Sequence, residues 1–284
     1  MTPLKIDLEA GTGYAGLGDI VTLAWLAAGC ARAGRPLAFH RTRNLDLMAV
    51  CGLAVDPEPG GVRLDGAYAA ELADRCRRPR LDYIREFLGV TARPEQPTLT
   101  IADADRAWAA ERVAEFGGPP VLLFPQTAWV TREWPASYWV DLAWELKAAG
   151  VPAVVLMSPK DERFTNTPLH WWGTPLGRLA ALVERAAAVV GNDSFPAHLA
   201  GAAGVPTLAL MGPTRPAVFA HCSAVECLAA DSIDCTGCHF GAPFRAACDQ
   251  GCRSLFRLDP RAVLRRVLDV ARPGGLVSRS RQLV

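Results

Sequence analysis

What most limits the fold of this 284-residue chain is an alternation: short apolar runs give way repeatedly to stretches whose apolar residues recur at helical spacing. Leu4 to Leu8 is a strand-like run that breaks into Gly11-Thr12-Gly13-Tyr14-Ala15-Gly16-Leu17-Gly18-Asp19, and then Ile20, Leu23, Ala24 and Ala27 mark one helix face up to Gly34. Pro36 to His40 predicts a strand and Leu45 to Cys51 a short helix closed by Gly52. Weaker signals follow at Val62–Leu64, Ala67–Arg77 and Leu81–Leu88, then an Ala/Glu-rich helix at Ala104–Phe116. The breaker Gly117-Gly118-Pro119-Pro120 ends this half, and the pattern restarts. Strands are expected at Val121–Phe124, Ala153–Met157, Val189-Val190 and Thr207–Met211. Helices are expected through Trp139, Leu142, Ala143 and Leu146 to Gly150, at Leu176–Ala187, and at Pro196–Ala203. Such alternation predicts an α/β protein with parallel sheets, helices on both faces and ligands at the carboxyl ends of the strands. The expected units are 1–117, 118–258 with a Cys-rich insert at 222–252, and a terminal helix and tail at 259–284.

A formal charge of +1 gives no general field for a polyanion, so nucleic acid is excluded as a partner and membrane contact is at most peripheral. The Arg261, Arg265, Arg266 and Arg272 stripe reads as a solvated helix face, and the tail from Pro273 as loose. With no signal-like start and no apolar run near the ~18 residues of a spanning helix, the expected location is cytoplasmic. Nine cysteines in such a chain do not read as a disulfide framework. Cys235-x-x-Cys238 and Cys248-x-x-x-Cys252 have the spacing of a structural zinc or iron site, with Cys222, Cys227 and His239 as alternative ligands and plain reduced thiols as the bland alternative. Cys30, Cys51 and Cys76 read as ordinary thiols.

Three segments carry candidate chemistry. In the glycine loop, Gly16 and Gly18 open a helix whose unpaired N–H groups could meet a phosphate, and Asp19 sits in the first turn, where an acid also simply complements the helix dipole. Gly11, Gly13 and Gly16 fit a dinucleotide fingerprint, but His40-Arg41 replaces the acid that NAD wants, leaving an NADP oxidoreductase using Arg41 or Arg43 as an alternative. The second segment runs from Phe124-Pro125-Gln126-Thr127 to Arg132-Glu133-Trp134-Pro135 and offers a cation at a strand end. The third spans Gly191-Asn192-Asp193-Ser194-Phe195-Pro196-Ala197-His198 and, after a further strand, Gly212-Pro213-Thr214. Its Asp, Ser and His lack the Gly-x-Ser-x-Gly elbow of a hydrolase, whereas helix and loop N–H groups there suit an anion.

In their order and wording, these segments resemble the heptosyltransferases of glycosyltransferase family nine. The match runs from Gly16-Leu17-Gly18-Asp19-Ile20-Val21 through Pro125 to Trp134-Pro135 and the long Gly191-to-Thr214 motif. The resemblance implies a GT-B fold, two Rossmann-like domains facing each other across a cleft. It implies inverting transfer of a heptose-like sugar from a nucleotide-diphosphate donor to a glycan, lipid-linked or protein acceptor, with no catalytic cofactor or metal. Asp19 takes the general-base role and Arg132 stands where the family has Lys beside the leaving diphosphate. Gly16, Gly18, Gln126, Thr127, Asn192, Asp193, Ser194, Phe195, Pro196, Ala197, His198, Gly212 and Thr214 fall on the donor side. Relatives that modify bacterial surface proteins carry a four-Cys iron site, which supports a metal at Cys235, Cys238, Cys248 and Cys252. The family has Gly where this chain has Gln126 and Phe195, so a non-catalytic sugar-nucleotide binder is the alternative within the family.

Overall fold

A computed structural model describes residues 2–9, 16–74, 76–158, 160–230, 237–238 and 252–272, and the backbone of 280–283. β1 (Leu4–Asp7), β2 (Leu37–His40) and β3 (Val62–Arg63) form a small parallel sheet in the order β2-β1-β3. Around it lie α1 (Leu17–Arg32), α2 (Leu45–Val50), α3 (Asp65–Ala73), α4 (Arg80–Leu88) and α5 (Asp103–Glu115). The remainder builds a second lobe with α6 (Ala136–Ala148), α7 (Leu176–Glu184), α8 (Phe195–Ala202), α9 (Arg253–Phe256) and α10 (Pro260–Val270). Its parallel sheet comprises β4 (Val121–Phe124), β5 (Ala153–Met157), β6 (His170–Trp172), β7 (Ala188–Asn192), β8 (Thr207–Leu210), β9 (Val225–Ala230) and β10 (Ser280–Leu283). The strand order is β10-β9-β8-β7-β4-β5-β6.

That order reverses direction between β4 and β7: the chain winds outward through β5 and β6, then returns to β7 and winds the other way. The carboxyl ends of β4 and β7 therefore diverge into a crevice, the place where open α/β sheets take ligands. Strand periodicity divides the packing. Leu122, Phe124, Val154 and Val189 face one side, and Val121, Leu123, Val155 and Val190 the other. The second side is closed by α6 and α10, with Trp134, Trp139, Val263 and Val267 in its core. The first side merges without a break into the core of the first lobe, where Ile6, Ile20, Leu23, Phe39, Leu47 and Ile84 are buried. Helix α1 packs along α8 and α5 along α7, so the lobes share apolar surface.

The structure differs from the sequence reading at several points. Three strands, β6, β9 and β10, were not expected, and β10 adds to the sheet from within the tail expected to be loose. Arg266 does not belong to a solvated stripe. It turns inward on α10 and forms a bidentate pair with the fully buried Glu226 of β9, at 2.9 and 2.7 Å. That pair explains an acid in an inner strand, since a buried carboxylate is tolerable only when matched by charge and hydrogen bonds.

Candidate active site

A cavity of about 880 Å³ opens between the lobes at the β4/β7 crevice. The first lobe contributes the start of α1, the start of α2, Tyr68 of α3 and Arg80 of α4. The second contributes the loops after β4, β5, β7 and β8. Of the expected residues, Gly16, Gly18, Asp19, Gln126, Thr127, Arg132, Asp193, Ser194, Phe195, Pro196, His198 and Thr214 line it.

Helix α1 presents Asp19 by its own capping geometry. Gly16 is the N-cap, and its N–H donates at 3.0 Å to Asp19 Oδ2 three residues on. Arg80 Nη1 donates to the other oxygen, Oδ1, at 2.7 Å. Arg80 Nε in turn donates to both oxygens of Glu71, at 3.0 and 3.2 Å. Burial pushes the Asp19 carboxyl above its ordinary value, although Arg80 and the Gly16 N–H pull it down. The first-turn acid therefore both caps its helix and faces the cavity.

Opposite lies the start of α8. Ser194 is its N-cap in extended conformation, yet its hydroxyl makes no capping bond. Buried polar atoms without hydrogen-bond partners gather here: Ser194 Oγ, Thr214 Oγ1, Asp193 Oδ2 and Arg132 Nε. Arg132 Nη1 stands 3.5 Å from Asp193 Oδ2 and its guanidinium lies 4.4 Å over the Trp129 ring. Burial opposes ionisation of Asp193, but Arg132 and His198 outweigh it and hold the carboxyl below the usual range. Unpaired donors beside a helix N-terminus form an anion-binding arrangement.

His198 links the two walls. Its Nδ1 is 3.3 Å from Thr22 Oγ1 on α1, and its ring stacks on Phe219 at 4.3 Å. Burial lowers its pKa to about 4, so it is neutral at pH 7. Gly18, which lines the cavity, also packs against this ring: a Cβ there would stand 2.9 Å from His198 Cδ2.

Other expected residues serve the scaffold. Asn192 is fully buried; its Nδ2 donates to Pro125 O at 2.7 Å and its Oδ1 accepts from Trp134 N at 3.0 Å. It thus clamps the β4 loop to the end of β7 and does not line the cavity. Ala197 is buried in the core, and Gly212 lies under α9, where a Cβ would meet Leu255 at 2.8 Å. Arg41 bonds the carbonyls of Arg43 and Leu8. Gly11 and Gly13 lie outside the described residues, as do Cys235, Cys248 and His239. The expected zinc or iron site is corrected: among the described residues no cluster of His, Cys, Asp or Glu can hold a metal ion. Cys252 is buried in the second-lobe core with Leu255 and Leu258, and Cys222 and Cys227 in the core of the other face. Sequence reasoning missed Arg80, Glu71, Tyr68 and Trp129. The available signal was an acid, Glu71, one turn after Ala67 on the buried face of α3.

Two α/β lobes with a crevice at a sheet's switch point, an anion cradle on one wall and a carboxylate on the other, define a two-lobed α/β fold that takes a ligand between its lobes. The model of glycosyltransferase family 9 (heptosyltransferase) matches residues 79–236. The chain belongs to that family, and its fold is of the GT-B type. Lipopolysaccharide heptosyltransferase 1 of Pseudomonas aeruginosa is 33% identical over 125 residues, 36% of this chain and 31% of that protein. The match thus spans about a third of the length of that relative. A family 9 glycosyltransferase structure from Veillonella parvula superposes with TM-score 0.69 at 17% identity, covering 95% of this chain and 98% of that one. E. coli ADP-heptose lps heptosyltransferase II superposes with TM-score 0.60 at 14% identity, covering 95% and 98%. Among the described residues no helix is long and apolar enough to cross a membrane.

Proposed function

We propose that this protein is an inverting glycosyltransferase that moves a heptose-like sugar from a nucleoside-diphosphate donor to a hydroxyl of a glycan, lipid-linked or protein acceptor, in the cytoplasm. The observation that carries this reading is one cavity in which the Asp19 carboxylate faces a cradle of Arg132, Ser194, Thr214 and the α8 N-terminus. The acceptor O–H gives its proton to Asp19 while its oxygen attacks the anomeric carbon from the side opposite the diphosphate. The bond from that carbon to the diphosphate oxygen breaks, and the configuration inverts. Arg132, released from Asp193, and the Ser194 and Thr214 hydroxyls meet the charge that develops on the leaving diphosphate. Asp193 keeps Arg132 oriented before the donor arrives, and Phe195 and Gln126 shape the donor side. The first lobe, up to the Gly117–Pro120 breaker, holds the acceptor and the second holds the donor. Of the three relatives, the name of the 33%-identical Pseudomonas aeruginosa protein, a lipopolysaccharide heptosyltransferase, supports the sugar.

Thermal unfolding against ADP, GDP, UDP, ADP-heptose and NADPH tests donor binding, since a ligand of the native state adds about 2.7 kcal/mol at a hundredfold excess over Kd. Stabilisation by one nucleoside diphosphate and its sugar, with none by NADPH, is expected. No response to any diphosphate overturns the reading, and binding without turnover leaves the sugar-nucleotide binder. Asp19→Asn should abolish transfer with donor binding retained. Because its carboxyl is held above 3.8, transfer should fall with pH on an acid limb above that value.

A further inference from the structure

We propose that Glu71, which reaches Asp19 through Arg80, is a positioning residue for Asp19: its charge offsets that of Arg80, so that the guanidinium orients the Asp19 carboxylate while opposing its protonation less than a lone arginine would. This rests on the reading of Asp19 as the base.

A base in this position has two requirements that conflict. Its carboxylate must be held still, which Gly16 N–H does at Oδ2 and Arg80 Nη1 does at Oδ1. It must also accept a proton, and a lone guanidinium at hydrogen-bond distance lowers a carboxylic acid by about 1–3 pH units. Glu71 resolves the conflict. Its side chain is 1% exposed, and both its oxygens receive Arg80 Nε, while the Cys76 thiol donates to Oε1 at 3.2 Å. When Asp19 takes up a proton, Arg80 is still matched by Glu71 and is not left as an isolated buried cation, which is the state that would oppose protonation. The other charged and titratable groups around Asp19 are Tyr68 of α3, Arg41 after β2 and Arg132 after β4. Across the cavity, Asp193 and His198 share the fields of Arg80 and Arg132. Of these, Glu71 is the carboxylate bonded to the same arginine as Asp19.

The test is carbon-13 NMR titration of aspartate carboxyls in the ligand-free full-length protein, with the Asp19 signal identified by its loss in Asp19→Asn. Glu71→Gln should lower the Asp19 pKa by about one unit. Arg80→Gln should raise it, and in the double variant, where the arginine that Glu71 acts through is gone, Asp19 should titrate with Arg80→Gln alone. An unmoved Asp19 in folded Glu71→Gln overturns the proposal. So does a double variant that titrates clearly below Arg80→Gln alone, which keeps the test open if the single Glu71 variant fails to fold. A merely structural Glu71 would change stability and leave these titrations in place. With donor and acceptor supplied, the acid limb of transfer in Glu71→Gln should move down with the titration. Titrations that move as expected with no transfer from any nucleoside-diphosphate sugar uphold the triad and sink the glycosyltransferase reading, so the two fail separately.

Discussion

Gly18→Ala isolates the contact that joins the two walls of the site. The added Cβ would lie 2.9 Å from His198 Cδ2 and 3.3 Å from Nε2, against an ordinary contact of about 3.5 Å or more. The ring cannot simply retreat: Phe219 stacks on it at 4.3 Å and Thr22 holds Nδ1 at 3.3 Å. Overpacking of this kind costs about 1–3 kcal/mol, and Ala at the second position of α1 recovers somewhat less than about 1 kcal/mol of helix propensity. A net loss of about 1–2 kcal/mol is expected, a fall in Tm of about 2–8 °C. The assay is urea unfolding of wild type, Gly18→Ala, His198→Ala and the double variant. Removing the ring makes room for the methyl, so the double variant should be more stable than the sum of the singles by about 1–2 kcal/mol. Gly18→Ala with unchanged or raised stability, and no coupling to His198, would refute the packing argument.

Three further outcomes can be checked. On the proposed mechanism, Arg132→Gln should lower sugar transfer by about 10²–10³-fold, measured as turnover at saturating donor, because the leaving diphosphate would lose its facing cation. His198 is neutral in the fold with a pKa near 4 against 6.5 unfolded, so its contribution to stability is present above 6.5 and lost as pH falls toward about 4. The loss is about 3 kcal/mol, visible as a flatter stability-versus-pH curve in His198→Asn over that window. Arg266→Met should cost about 3–5 kcal/mol in denaturant unfolding by stranding Glu226, and adding Glu226→Gln should recover much of it.

Strands of the second sheet were readable because Val121–Phe124 and Leu208–Met211 are unbroken apolar runs ending in loops, the pattern of a strand buried on both faces. Others were hidden for specific reasons. β6 is only His170–Trp172, and β9 carries Glu226, whose place in the sheet depends on an arginine 40 residues away. α7 stops at Glu184 rather than Ala187, since Ala187 N–H is taken by Pro120 O as the chain turns into β7. At the site, the loops after β4 and β7 were legible as strand ends. Arg80 was not: its contact with Asp19 spans 61 residues, and nothing local separates it from Arg77 and Arg78. Asn192 misled in the opposite way, since an amide in a polar loop looks the same whether it faces a ligand or ties two loops together.

The shared core of the lobes also bears on modularity. A fragment beginning at residue 118 would bare the flanks of α7 and α8 that α5 and α1 now cover, and a fragment ending at 117 would bare the matching surface. Neither piece is a cassette. Exchanging the first lobe between relatives would require transplanting the faces of α7 and α8 that meet it as well, His198 against Gly18 included.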